Sequence, residues 1–90
     1  MTWAASAETD LQQIHAYVAA ENPASARMLA EAIITAANSL AAFPLKGHAG
    51  AGGTREWVVP QFRRYLLIYD VDVSAGNVRI VRVWHQSRDR

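Results

Sequence analysis

The chain changes its hydrophobic period halfway along, and that switch limits the folds open to it. Before Lys46 the apolar residues recur at helical spacing. After Gly53 they fall in short blocks rich in β-branched and aromatic residues. Between the two lies Lys46-Gly47-His48-Ala49-Gly50-Ala51-Gly52-Gly53, a glycine-rich break that reads as a flexible connector. It lacks the spacing and the Lys-Ser/Thr ending of a phosphate loop, and no strand precedes it.

The first half reads as two helices. Thr9-Asp10-Leu11-Gln12 has capping-box spacing and Ser6 is a second candidate cap. Leu11, Ile14 and Val18 then share one helical face. Asn22-Pro23 stops this helix and starts the next, because Asn caps well and Pro fits a first turn. Leu29, Ile33 and Leu40 carry the second stripe, which Phe43-Pro44 ends. Abundant alanine favours helix and lets two helices approach closely, so the spacing predicts an antiparallel hairpin.

Three strands are expected in the second half, at Thr54–Val59, Arg64–Val73 and Val78–His85, with Ser74-Ala75-Gly76-Asn77 as a turn. The middle run is apolar on both faces, as a central strand would be. Strict alternation would place Arg79, Val81, Val83 and His85 on one face of the last strand, and Ile80, Arg82 and Trp84 on the other. Short connections imply antiparallel neighbours. The fold class is therefore α+β, one domain over residues 1–90, with helices packed on one face of a small antiparallel sheet.

Composition narrows the function. Cysteine is absent, which excludes disulfides, thiolate metal sites and a cysteine nucleophile. No apolar run approaches the roughly 18 residues of a membrane span, and no signal peptide opens the chain, so a cytoplasmic domain is expected. The net charge of +1 conceals a split. Residues 1–45 carry Glu8, Asp10, Glu21 and Glu31 against Arg27, a net of −3. Residues 46–90 are net +4, and eight of the nine cations in the chain are arginine, the residue suited to bidentate phosphate or carboxylate recognition. An Arg/His set on a sheet with one open face suits an anionic ligand. Ion pairs with Asp70, Asp72 and Glu56 are the plainer reading. His85 stands among these cations and is the candidate acid or base. No two histidines have metal-ligand spacing, so neither a metal nor another cofactor is expected.

In order and spacing the chain resembles the RelE/ParE superfamily of toxins from bacterial type II toxin–antitoxin systems. The likeness runs through Trp3, Asp10-Leu11, Ile14 through Tyr17, Asn22-Pro23, Leu40-x-x-Phe43-Pro44 and Gly53-Thr54-Arg55-Glu56. It continues through Tyr65-Leu66-Leu67-Ile68-Tyr69 and Val83-x-His85-x-x-Arg88-Asp89. The resemblance implies a β-α-α-β-β-β order and a sheet of three to four strands, the first reduced here to Met1-Thr2-Trp3. It also implies one of two activities. ParE-like members inhibit DNA gyrase without chemistry of their own; RelE-like members are endoribonucleases that cleave mRNA on the ribosome. Lys46 is the only lysine, and the ending His85-Gln86-Ser87-Arg88-Asp89 is similar to the ParE branch. The resemblance thus favours gyrase as target, with Arg82, His85 and Arg88 as contacts. In the RNase alternative His85 would serve as acid–base, with Arg55, Arg64, Arg82 and Arg88 as phosphate-binding cations. Either branch implies a cognate antitoxin, with Leu11, Ile14, Val18, Leu29, Ile33 and Trp57 as candidate contacts. It implies no small-molecule substrate and no membrane.

Overall fold

A computed structural model describes residues 1–86. The element order is β1 (Thr2–Trp3), α1 (Ala5–Ala19), α2 (Pro23–Ala42), β2 (His48–Ala49), β3 (Arg55–Val58), β4 (Tyr65–Asp72) and β5 (Asn77–His85). The strands form one sheet in the order β1-β5-β4-β3-β2. Both helices pack on one face, as the change of period predicts. The sheet has five strands instead of three or four, and it is mixed, because β1 runs parallel to β5. The added strand comes from the glycine-rich segment. His48 and Ala49 pair with Glu56 and Arg55, and Ala51–Gly53 forms a short 3-10 turn. The glycines there are a tight reversal: Gly52 and Gly53 take φ of 64° and 80°, which side chains rarely tolerate.

Helix α2 begins as its sequence foretells. Asn22 Oδ1 accepts from the Ser25 N–H at 3.1 Å, and Pro23 occupies the first turn. Its stripe Ala26, Leu29, Ile33, Ala36, Ala37 and Leu40 is buried throughout. Helix α1 does not begin as expected. It starts at Ala5 after Ala4, without a side-chain cap, so the capping box at Thr9 and the Ser6 cap are both corrected. The reason lies in β5. Ala4 donates its N–H to the Ile80 carbonyl at 2.8 Å, and the chain then turns into α1 alongside β5. Ser6 Oγ donates to the Val81 carbonyl at 2.7 Å, and Asp10 accepts from the Val83 N–H at 3.0 Å. Four helical residues rise about 6 Å and two strand residues about 6.6 Å, so an i, i+4 pair on the helix matches an i, i+2 pair on the strand. Ser6 and Asp10 thus close the rim of β5 where β1 stops.

The strict alternation expected on β5 also fails. Ile68 pairs with Arg82 and Tyr69 with Ile80, leaving Val81 as an extra residue. This bulge shifts the phase, so Val78, Ile80 and Val83 all enter one core with Leu67 and Tyr69 of β4. Strand β4 is central and apolar on both faces, as read: Leu66, cross-strand from Val58 and Trp84, is 1% exposed. The β4–β5 turn is held by Asp72, whose carboxylate accepts from Ser74 Oγ at 2.8 Å and the Ala75 N–H at 3.2 Å. The Ser74 bond first, then the Ala75 bond, holds its carboxyl below the usual 3.8. Among the described residues no helix is long and apolar enough to cross a membrane.

A second polar contact organises the other end of the sheet. The Tyr69 hydroxyl, in a side chain with no exposure, donates to the Pro44 carbonyl at 2.8 Å and accepts from the Gly47 N–H at 3.0 Å. Arg55 Nη2 donates to the carbonyls of Leu45 and Gly47 at 2.9 and 2.6 Å. Together they fasten the 44–47 connection against β3 and β4.

Candidate functional site

Three concave regions border residues singled out by the sequence. The first is a small recess of about 100 Å³ between α1 and β5, lined by Asp10, Gln13, Arg82, Trp84 and His85 among others. It exists because α1 runs along β5, and it brings Arg82 and His85 onto one surface. Asp10 is its anchor. Asp10 Oδ2 accepts from Arg82 Nε at 2.7 Å, Oδ1 accepts from Arg82 Nη2 at 3.0 Å, and Oδ2 also takes the Val83 N–H. This fork-to-carboxylate pair is the geometry arginine favours. The Arg82 guanidinium carbon also lies 5.5 Å from the centre of the Trp84 ring. His85, opposite Tyr65 across the β4–β5 ladder, meets that ring edge-on, with centroids 5.1 Å apart. A carboxylate already seated on Arg82 makes this recess a poor cradle for phosphate, since a dianion would face Asp10 as well as the guanidinium.

Of the remaining site candidates, Val18, Leu29 and Arg64 border one further recess of about 410 Å³, and the others lie apart. Arg55 reaches the carbonyls of Leu45 and Gly47, at the opposite end of the sheet from His85. Arg64 is exposed near the start of β4, and its carbonyl accepts from the Gln86 N–H at 2.7 Å. Arg88 lies outside the described residues. Of the candidate antitoxin contacts, Leu29 and Ile33 are 4% and 0% exposed and belong to the core. Leu11, Ile14 and Val18 are half-buried against it. Trp57 lines the second region, a groove of about 450 Å³ between α2 and the β3–β4 connection. Along α2 this groove passes Met28, Glu31, Thr35 and Ser39, and Lys46 stands beside it with Nζ 4.4 Å from the Trp57 ring centre.

Sequence reasoning missed the roles of Asp10 and of this groove. Asp10 reads only as the residue inside a capping box begun by Thr9, and its four-residue spacing from Ser6 is the one signal of a strand running alongside. The groove stripe of Met28, Glu31, Thr35 and Ser39 is offset from the apolar stripe and reads as a solvated face. Among the described residues no three His, Cys, Asp or Glu side chains cluster as a metal site would require.

A two-helix hairpin on one face of a five-stranded sheet, with α1 stitched to the last strand, is the architecture of a small toxin class. Residues 1–90 match the family model described as the ParE toxin of the type II toxin–antitoxin system parDE. The chain belongs to that family, within the RelE/ParE superfamily. It is 36% identical over 90 residues to Toxin RelE2 of Caulobacter vibrioides, covering 98% of this chain and 96% of that one. A solved chain of the chromosomal ParDE system from P. aeruginosa superposes with a TM-score of 0.77 at 20% identity, over 93% of this chain and 91% of that chain. That likeness is one of fold. The protein is therefore a type II toxin–antitoxin toxin.

Proposed function

We propose that this toxin acts in the cytoplasm as a ParE-like inhibitor of DNA gyrase, binding its target without chemistry of its own, and that a cognate antitoxin neutralises it. The observation that carries this reading is the Asp10–Arg82 pair. An RNase would need cations free to stabilise a phosphorane beside His85. Arg82, the cation that shares the recess with His85, is held by a carboxylate and a neighbouring aromatic ring. Arg55 is tied to backbone carbonyls at the other end of the sheet. A surface that offers Arg82, His85 and Trp84 in fixed positions suits protein recognition better than phosphoryl chemistry.

A ribosome-dependent endoribonuclease is the second reading. It is favoured by the single recess shared by His85 and Arg82, and by the RelE name of the Caulobacter relative. Induction without antitoxin separates the two. Gyrase inhibition gives filamentation and an SOS response; mRNA cleavage gives translation arrest. The expected result is the former, with purified toxin blocking supercoiling or stabilising cleaved DNA. His85→Ala should leave toxicity within a few-fold of wild type, whereas loss of a general acid–base costs 10²–10⁴-fold. Intact supercoiling together with cut transcripts sinks the gyrase reading.

A further inference from the structure

The arginines differ in what holds their heads. Arg55 is tied to backbone carbonyls, Arg79 Nη2 to Asp70 at 3.0 Å, and Arg82 to Asp10. Arg63 and Arg64 are exposed, and among the described residues neither guanidinium makes a hydrogen bond or an ion pair. Both border the recess of about 410 Å³ between the end of α1, the first turns of α2 and the β3–β4 connection. The backbone beneath them is fixed. Gln86 donates its N–H to the Arg64 carbonyl at 2.7 Å and its Nε2 to the Arg63 carbonyl at 2.6 Å. The Tyr65 N–H bonds to the Phe62 carbonyl at 2.9 Å. The half-buried rings of Phe62 and Tyr65 form an apolar wall of the recess, and among the described residues no carboxylate lines it. Ser25, in the first turn of α2, also borders it, so the positive end of that helix adds to the two cations.

Two uncommitted guanidiniums beside aromatic rings, with no acid among them, match a phosphate that carries a planar ring. Arginine takes phosphate oxygens through its fork of donors. Every nucleobase offers a π-face to an aromatic side chain. The volume lies within the range of pockets that enclose one small organic group. We propose that this recess holds one nucleotide of a DNA single strand, its phosphates against Arg63 and Arg64 and its base against Phe62 and Tyr65. Both arginines are exposed, which leaves room for the strand to continue beyond the recess. The choice of DNA over RNA rests on the gyrase reading, since gyrase works on DNA; the site itself does not. It gives the toxin a hold on the nucleic acid in its target's complex as well as on the enzyme. The Asp10–Arg82 recess is different, because a carboxylate already fills its arginine.

The test titrates purified full-length toxin into a short fluorescein-labelled oligodeoxynucleotide and follows anisotropy over a range of salt. The expected result is saturable binding whose log affinity falls with log salt. Arg63→Gln and Arg64→Gln together should weaken it about tenfold or more and flatten the salt slope by about 1.4, two phosphate contacts at about 0.7 each. Phe62→Leu should weaken it about fivefold or more and leave the slope unchanged. Arg79→Gln, which removes one charge at the far end of β5, should change the affinity by less than about twofold. Circular dichroism of each variant confirms that the fold persists. With gyrase present, the double arginine variant should need about tenfold more toxin for equal loss of supercoiling. Wild-type affinity and slope in the double variant overturn the site, and so does a wild-type toxin that binds no strand. A ribo-oligonucleotide or a duplex of the same sequence bound more tightly overturns the choice of strand. ATP that displaces the oligonucleotide at equal concentration overturns it in favour of a free nucleotide. Toxin that binds the strand through both arginines yet leaves supercoiling intact keeps the site and overturns the gyrase reading alone.

Discussion

Asp10→Ala should lower the stability of the free toxin by about 2–4 kcal/mol, one of the largest single losses expected in the described chain. Three hydrogen bonds end on this carboxylate, two from Arg82 and one from the Val83 N–H. Its side chain is 13% exposed, so water cannot readily replace them. The Arg82 side chain is 41% exposed, which places the ion-pair share toward the lower end of that range. For a domain of this size the loss corresponds to a fall in Tm of roughly 10–20 °C. Asp10→Asn keeps an acceptor for the Val83 N–H while removing the charge, and should recover about half of the loss. Urea unfolding of the three proteins measures this. A change below about 0.5 kcal/mol for Asp10→Ala would mean that α1 is held to β5 by its apolar face alone.

Gly47→Ala should be comparably damaging for a steric reason. A Cβ built there meets the Glu56 backbone oxygen at 2.7 Å and collides with the Tyr69 hydroxyl. Neither can retreat, because Glu56 sits in the sheet and Tyr69 is fully buried. The expected cost is about 2–4 kcal/mol, through overpacking and loss of the hydroxyl's bonds to Pro44 and Gly47. Tyr69→Phe should cost about 1–3 kcal/mol by leaving the buried Gly47 N–H without an acceptor. The double variant should lose at least about 1 kcal/mol less than the two losses added, because phenylalanine removes part of the obstacle. Strict additivity in denaturant titrations would show that the two residues do not meet.

The parts of this fold governed by local pattern could be read without coordinates. Asn22-Pro23 announced α2, the stripe from Leu29 to Leu40 announced its buried face, and Ser74 to Asn77 announced the last turn. What escaped depends on partners remote in sequence. Nothing near Val81 signals a bulge; its phase shift answers to Ser6 and Asp10, more than seventy positions away. His48 and Ala49 are exposed and surrounded by glycine, so their pairing with β3 leaves no hydrophobic trace. The candidate site was legible to the same degree. Arg82 and His85 were placed on one strand, and they share a recess. That an acid from the first helix already occupies Arg82 could not be read from β5 alone. Leu29 and Ile33, attractive as contact residues because they are apolar, are inside the core for that same reason.

The seam between the two ends of the chain bears on how the toxin is made. Thr2 and Trp3 pair with Arg79 and Ile80, and Ser6 and Asp10 bond to Val81 and Val83. Strand β4, the centre of the sheet, has β5 as one of its two neighbours. A nascent chain that has exposed only the helical hairpin therefore has neither the floor for its apolar stripe nor the partners for its first ten residues. Such long-range closure is slow, and it comes after every other element of the domain has been made. Folding must wait for β5 to emerge, so neither the hairpin nor β4 can close the core before that strand is made. Until then the incomplete chain carries an uncovered apolar hairpin, and that interval is when a waiting partner or a protease has its easiest access.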